Sequence, residues 1–123
     1  MLKLHTIKEV QNYIKQDGLS ILEIASSSCA PCASIKRKIE EWAAGYPAIR
    51  TAYAEIEEIP EITGQLQIFT APEVLVFADG KRCIEQAGYF SMDEVFRQIE
   101  RYIELMRSES FLVFSQCTGK SEL

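Results

Sequence analysis

The stretch ILEIASSSCAPCASIKRKIEEWA, residues 21–43, decides how this chain folds. It begins with a nearly continuous apolar run, which is typical of a strand buried on both faces of a sheet. Three serines end the run, and two cysteines follow that are separated by two residues. From Pro31 onward the apolar residues recur with helical spacing, for example at Ile35 and Ile39. The stretch therefore predicts a strand that leads into a helix, with a Cys-x-x-Cys pair at the junction.

Two capping-box patterns mark where further helices begin. In the first, the hydroxyl of Thr6 and the carboxylate of Glu9 are predicted to satisfy each other's free backbone N–H groups. The second pattern runs from Ser91 to Glu94 and begins the last predicted helix. A shorter helix is expected within the acidic segment of residues 57–68.

Four further segments predict strands beside the central one. They lie at residues 2–4, 49–56, 73–78 and 82–88. The last two flank Asp79-Gly80, which is a strong signal for a two-residue hairpin. The predicted order is thus β-α-β-α-β-α-β-β-α. This alternation predicts an α/β protein, in which helices cover both faces of a parallel sheet and the final hairpin adds an antiparallel edge.

Length and composition describe an ordinary globular chain. Its 123 residues suffice for one domain, and 47% hydrophobic with 25% charged residues is a usual balance. The net charge of −5 argues against a nucleic-acid partner, which would require clustered basic residues. The run Lys36-Arg37-Lys38 is interpreted as a solvent-exposed helix face. No apolar stretch reaches the roughly 18 residues of a membrane span, so no membrane partner is expected.

The N-terminal residues and the cysteine count together predict a cytoplasmic setting. The first ten residues, MLKLHTIKEV, lack the apolar segment of a secretory signal. Four cysteines are too few for a disulfide scaffold in a chain of this size. In a reducing cytoplasm, a Cys-x-x-Cys pair is more often catalytic or metal-binding than structural.

The placement of Cys29 and Cys32 predicts thiol–disulfide exchange. Residues three apart at a helix start share one face, so the two sulfurs can bond without backbone distortion. Free N–H groups and the positive end of the helix dipole stabilise a thiolate on Cys29, which is expected to be the more exposed cysteine. Pro31 fits the first turn because no intrahelical hydrogen bond is lost there. Cys29 is therefore predicted to attack a substrate disulfide, and Cys32 to resolve the mixed disulfide.

These features give residues 1–107 a resemblance to the thioredoxin family. The matching features are Cys29-Ala-Pro-Cys32 after a central strand, Pro72 at the start of a strand, the hairpin, and Gly88 before the last helix. The resemblance implies the thioredoxin fold, a central mixed sheet flanked by helices on both faces, and protein-disulfide oxidoreductase activity without a cofactor. It also implies a cis peptide bond before Pro72. The substrate-binding surface that it implies comprises Ser28, Ala30, Pro31, Ala71, Pro72 and Gly88.

Glu23 is an unusual residue for the middle of an apolar strand. Desolvation of a buried carboxyl group raises its pKa. Glu23 lies six residues before Cys29, where thioredoxins carry a buried acid. The resemblance therefore implies that Glu23 accepts the proton of Cys32. The alternative is that its side chain meets solvent at a sheet edge.

The chain departs from the thioredoxin pattern close to the cysteines. Ser28 stands where an aromatic residue usually precedes the first cysteine, and Ala71 replaces a larger aliphatic residue. Tyr53 stands where the family has a lysine paired with the buried acid. The predicted apolar platform is therefore smaller and more polar, which indicates altered partners or an altered potential.

The partners implied by the resemblance are protein disulfides as substrates and a disulfide reductase as electron donor. Two other function classes stay open. One is a thioredoxin-fold interaction module with weak or no redox activity, and the other is a metal-binding module, since Cys-x-x-Cys supplies half of a zinc site. Residues 108–123 form a predicted C-terminal tail, which contains the apolar run from Phe111 to Phe114. This run is expected to dock on the domain or to pair with a second chain as a homodimer, the alternative being a disordered tail.

Overall fold

The computed structural model describes residues 1–108, and the predicted order of elements is confirmed there. The five strands are β1 Leu2–Lys3, β2 Leu19–Ala25, β3 Arg50–Glu55, β4 Glu73–Ala78 and β5 Lys81–Ala87. The four helices are α1 Ile7–Ile14, α2 Cys32–Ala43, α3 Glu61–Leu66 and α4 Met92–Ser108. The predicted contact of residues 111–114 lies outside the described residues and stays a prediction.

The five strands form one mixed sheet in the order β1-β3-β2-β4-β5. Strand β3 runs parallel to both β1 and β2, whereas β4 runs antiparallel to both β2 and β5. The central strand β2 therefore has a hydrogen-bonded neighbour on each side. In this register Glu23 lies directly between Tyr53 of β3 and Val74 of β4.

Helices cover both faces of the sheet, as predicted. Alternate residues of β2 point to opposite faces, so Leu22 packs in the cluster that includes α1 and α3, and Ile21 in the cluster that includes α2 and α4. All seven residues of β2 are buried. Within residues 1–108, no helix combines the length and the apolar content needed to cross a membrane.

In both capping boxes the predicted hydrogen bond to the hydroxyl group is confirmed. In the first capping box the hydrogen bond to the carboxylate group differs from the prediction. The Thr6 hydroxyl accepts the N–H of Glu9 at 3.1 Å, and the Ser91 hydroxyl accepts the N–H of Glu94 at 3.3 Å. The Glu9 carboxylate, however, accepts the N–H of His5 at 2.7 Å, one residue before the cap. The side chain thus reaches past the cap residue and satisfies a backbone donor there.

The predicted hairpin joins β4 to β5. Asp79 and Gly80 have positive φ angles of 51° and 85°, as the two central residues of a type I′ turn require. Asp79 also fastens the hairpin to the turn before β2, because its N–H donates to the Gly18 carbonyl at 3.0 Å. In return the Gly18 N–H donates to the Asp79 carboxylate at 2.6 Å. The hairpin is therefore anchored beside the start of the central strand.

Candidate active site

The cysteine pair lies where β2 passes into α2. The loop after β2 turns back on itself, because the Cys29 N–H donates to the Ser26 carbonyl at 3.1 Å. Helix α2 begins at Cys32 with Pro31 in the capping position, where a residue without an N–H leaves no donor unsatisfied. Cys29 and Cys32 are joined by a disulfide with a Cα–Cα distance of 5.5 Å, which lies within the usual range. The predicted pairing is thus confirmed.

The two cysteines differ in exposure as the sequence predicted. Cys32 is only 6% exposed, whereas Cys29 is half-buried between the exposed residues Ser28 and Ala30. A thiol or disulfide that approaches from solvent therefore reaches the sulfur of Cys29 first. The geometry gives Cys29 the outer position and Cys32 the inner one.

Glu23 is a buried acid in the centre of the sheet. Its side chain is 1% exposed, so the alternative that it meets solvent at a sheet edge is wrong. One carboxylate oxygen, Oε2, has no hydrogen-bond partner among the described residues. Burial raises the pKa of Glu23 to about 7, while the charge of Lys36 acts to lower it and that of Glu40 to raise it. The predicted rise in pKa is confirmed, and Glu23 titrates near neutral pH.

A small cavity connects this acid with the cysteine pair. It has a volume of about 310 Å³, and its lining includes Glu23, Cys29, Cys32, Lys36, Tyr53 and Glu55. The carboxyl group and both cysteines therefore border one space.

Lys36 is turned toward this cavity, in contrast to the interpretation of residues 36–38 as a solvent-exposed face. Arg37 and Lys38 are exposed, but Lys36 is half-buried. Its Nζ lies 4.3 Å from the centroid of the Tyr53 ring, which is within the range of a cation–π contact. The spacing of the two residues indicates this placement, because Lys36 follows Cys32 by four residues and thus shares its helix face.

A second carboxylate, which the sequence analysis missed, holds the loop before Cys29. The Glu57 carboxylate accepts hydrogen bonds from the Ser26 hydroxyl and from the Ser27 N–H, the latter at 3.2 Å. The hydrogen bond from the Ser26 hydroxyl is the main reason why the pKa of Glu57 is lowered. Glu57 thus ties the segment after β3 to the loop that precedes the nucleophile.

The peptide bond between Ala71 and Pro72 is cis, as the resemblance implied. The carbonyl of Pro72 accepts the N–H of Gly88 at 3.1 Å. Gly88 has a positive φ of 76° and is exposed, so glycine suits this backbone position. Gly88 also borders a groove of about 270 Å³ together with Pro31. Pro31 and Gly88 of the predicted substrate surface therefore border one groove, whereas Pro72 is buried and contacts Gly88 through this backbone hydrogen bond.

Four residues of that predicted surface, Ser28, Ala30, Ala71 and Pro72, do not border this groove. Ser28 and Ala30 are exposed in the loop that contains Cys29, and Ala71 is half-buried next to Pro72. Two exposed aromatic residues were not singled out from the sequence. Tyr89 is fully exposed beside Gly88, and Phe69 is 73% exposed. Of the two, Tyr89 borders the groove and adds apolar area beside Gly88.

The metal-binding alternative lacks a complete ligand set in the described part of the chain. Within residues 1–108, no group of three or more His, Cys, Asp or Glu side chains is placed to hold a metal ion. Cys29 and Cys32 are instead bonded to each other.

The Thioredoxin family model matches residues 2–101 of the chain. Among curated relatives, thioredoxin-like protein YdfQ of Bacillus subtilis is 24% identical over 109 residues, which cover 89% of this chain and 97% of that protein. Thioredoxin AMT13 of Alternaria alternata is 30% identical over 86 residues, which cover 69% of this chain and 73% of that protein.

Solved thioredoxin structures share the fold. Plasmodium falciparum thioredoxin superposes with a TM-score of 0.73 and 22% identity, covering 83% of this chain and 99% of that one. Oxidised mitochondrial thioredoxin 3 of Saccharomyces cerevisiae also gives a TM-score of 0.73, with 21% identity and coverage of 82% and 94%.

Proposed function

Because the chain belongs to the thioredoxin family and is a thiol–disulfide oxidoreductase, we propose distinct roles for three residues. Cys29 is the nucleophile, Cys32 the resolving thiol, and Glu23 the acceptor of the resolving proton. The observation that supports these roles is that a half-buried and a buried cysteine share one cavity with a buried acid.

The first step uses the reduced pair. The thiolate of Cys29 attacks one sulfur of a client disulfide, the client S–S bond breaks, and one client thiolate leaves. Cys29 is then joined to the client by a mixed disulfide. The start of α2 favours the thiolate, because its unpaired N–H groups and positive dipole end lie beside this sulfur.

The second step requires a base, because Cys32 is buried and a neutral thiol is a poor nucleophile. The Cys32 thiol transfers its proton to the Glu23 carboxylate. The resulting Cys32 thiolate attacks the sulfur of Cys29, and the second client thiolate leaves. The client gains two electrons, and the Cys29–Cys32 disulfide forms.

A further partner has to return two electrons to this disulfide. Protein disulfides are the proposed clients, and a disulfide reductase is the proposed electron donor. The proposed setting is the cytoplasm, where the reducing conditions return such disulfides to the dithiol form. The extended surface around Pro31, Pro72 and Gly88 is the proposed client-binding surface. A homodimer formed through residues 108–123 stays a prediction from the sequence.

The assignment of the two cysteines is tested with a peptide disulfide whose leaving thiol is fluorescent. The C32S variant is expected to release one equivalent of the leaving thiol and to retain the other half of the peptide, because no resolving thiol remains. The C29S variant is expected to retain none. The double variant C29S/C32S keeps the other two cysteines and gives the baseline. Trapping by C29S but not by C32S would reverse the assignment, and no trapping by either would favour a binding module without redox activity.

The role of Glu23 is tested in the same assay with both cysteines present. In E23Q, the second release, that of the retained half of the peptide from Cys29, is expected to slow at neutral pH more than the first release, that of the fluorescent thiol. The reason is that the proton acceptor for the resolving step is removed. The E41Q variant removes the same charge from an exposed position of α2 and is expected to behave as wild type. If both releases in E23Q match wild type from pH 6 to pH 9, Glu23 has no part in proton transfer.

A further inference from the structure

We propose that Lys36 is a positioning residue for this reaction: its ammonium group, held above the Tyr53 ring, keeps Glu23 ionised so that Glu23 can take the proton from Cys32. The inference rests on the role proposed for Glu23. It adds a residue of α2 that acts on the reacting sulfur only through that carboxylate.

The placement of Lys36 follows from the helix and the sheet. Cys32 and Lys36 are four residues apart on α2, so they share one helix face. On the sheet opposite that face, Glu23 and Tyr53 are direct neighbours on β2 and β3. All four residues border the same cavity. The ammonium group, which lies 4.3 Å from the centroid of the Tyr53 ring, is therefore on the side of the sheet where Glu23 is buried.

The other charged groups around Glu23 are already paired with different cations. Glu40 of α2 is bound by the amino group of Met1 at 3.0 Å. Glu55 of β3, which also borders the cavity, is bound by Lys3 at 3.3 Å. The neighbour of Glu23 on β4 is the apolar Val74. Among residues 1–108, Lys36 is thus the cation that acts on Glu23, and its charge opposes the effects of burial and of Glu40.

The chemical consequence concerns the resolving step. A protonated carboxyl group cannot accept the proton of Cys32, and burial favours that protonated form. The charge of Lys36 favours the ionised form. When Cys32 transfers its proton, Glu23 becomes neutral and the Cys32 thiolate displaces the client thiolate from Cys29. Lys36 therefore sets the pH range in which the Cys32 proton has an acceptor.

The first measurement does not depend on activity. In the oxidised protein, ¹³C NMR follows the side-chain carboxyl of each glutamate with pH, and the Glu23 signal is identified by its loss in E23Q. In K36Q the Glu23 midpoint is expected to rise by about one pH unit, the lower end of the range for a nearby opposite charge. R37Q removes the same charge from the adjacent, exposed position and is expected to leave the midpoint unchanged. K36R keeps the charge and is expected to stay near wild type.

The second measurement is the pH dependence of the resolving step, followed as release from Cys29 of the half of the peptide that the first step leaves bound. A Glu23 midpoint that moves from about 7 to about 8 lowers the ionised fraction at pH 7 from about one half to about one tenth. K36Q is therefore expected to slow this step about fivefold at pH 7 and to recover at higher pH. R37Q and K36R are expected to follow the wild-type profile.

The outcomes separate this inference from the proposed function. An unchanged Glu23 midpoint in K36Q, or an equal shift in R37Q, overturns the role of Lys36 even if E23Q slows resolution. A shifted midpoint supports the electrostatic control of Glu23 by Lys36. If the midpoint shifts but E23Q resolves at the wild-type rate, the role of Glu23 in exchange is overturned, and with it the effect of Lys36 on the reaction.

Discussion

Replacement of Glu23 by glutamine is expected to stabilise the oxidised protein at neutral and alkaline pH but not at acid pH. Folding raises the pKa of Glu23 from its usual 4.5 to about 7, chiefly because the side chain is buried. Below pH 4.5 the group is protonated in both the folded and the unfolded chain. As the pH rises to 7, the unfolded chain loses this proton first, so the free energy of unfolding falls. Above pH 7 the full penalty is present. The glutamine side chain of E23Q cannot ionise, so the variant lacks the penalty.

The size of the effect follows from the two pKa values. Each pH unit between 4.5 and about 7 changes the free energy of unfolding by about 1.4 kcal/mol. The ionisation of Glu23 therefore costs about 3 kcal/mol above pH 7. This is a large part of the roughly 5–15 kcal/mol by which a domain is usually stable. Any difference in packing between the amide and the neutral acid is the same at every pH and cancels from the comparison.

Urea unfolding of the disulfide-bonded protein, without reductant, measures this difference directly. The free energy of unfolding of E23Q minus that of wild type is expected to increase by about 3 kcal/mol between pH 4 and pH 8. E41Q replaces an exposed glutamate of α2 and is expected to show no such trend. A difference for E23Q that stays constant within about 0.5 kcal/mol from pH 4 to pH 8 would refute the assignment of Glu23 as a group with a raised pKa.

Three further changes test the surroundings of the site. E57Q is expected to increase the hydrogen-exchange rate of the Ser27 amide, because that N–H donates to Glu57. E61Q changes an exposed residue of α3 and serves as the control. Equal exchange rates in both variants would contradict the role of Glu57. I39A is expected to lower the free energy of unfolding by about 2–5 kcal/mol, because Ile39 is fully buried. R37A, at an exposed position, is expected to change the free energy of unfolding by less than about 0.5 kcal/mol. Similar values for both variants would place Ile39 outside the core. Truncation after Arg107 is expected to lower the melting temperature or to abolish a dimer while exchange is retained, and identical melting and elution would show that residues 108–123 are dispensable.

The elements of the fold were predictable because each has a local signal. These signals are the apolar run of the central strand, the helical spacing after Pro31, the hydroxyl caps of Thr6 and Ser91, and Asp79-Gly80, and each acts within a few residues. The cysteine pair was predictable for the same reason, since a spacing of three at a helix start determines which face both residues share. The cis bond before Pro72 was implied by the family resemblance and is present.

The surroundings of the site were less predictable because they depend on distant residues. The contact between Glu57 and the Ser26–Ser27 segment joins residues about thirty positions apart, and it exists only because β2 and β3 are adjacent. Lys36 was interpreted as part of a solvated basic run, since a lysine beside Arg37 and Lys38 has no local feature that distinguishes it. Its aliphatic stem can cross the half-buried flank of a helix while the ammonium group meets Tyr53.

The position of Glu23 on β2 explains why one group is both destabilising and useful. Backbone pairing to Tyr53 on one side and to Val74 on the other fixes this residue, whereas Cys29 lies in a loop and Cys32 begins a helix. Sulfur bonds thus form and break beside a proton acceptor held on a rigid element, which preserves its geometry. The burial that comes with this position raises the pKa of Glu23 to about 7, and a base is most effective when its pKa lies near the working pH. An exposed carboxylate of ordinary pKa would be less costly to the fold but a weaker base. E23Q is therefore expected to gain stability at pH 8 and to lose resolving rate at neutral pH. Both effects have the same origin, because both follow from the transfer of one carboxylate out of water.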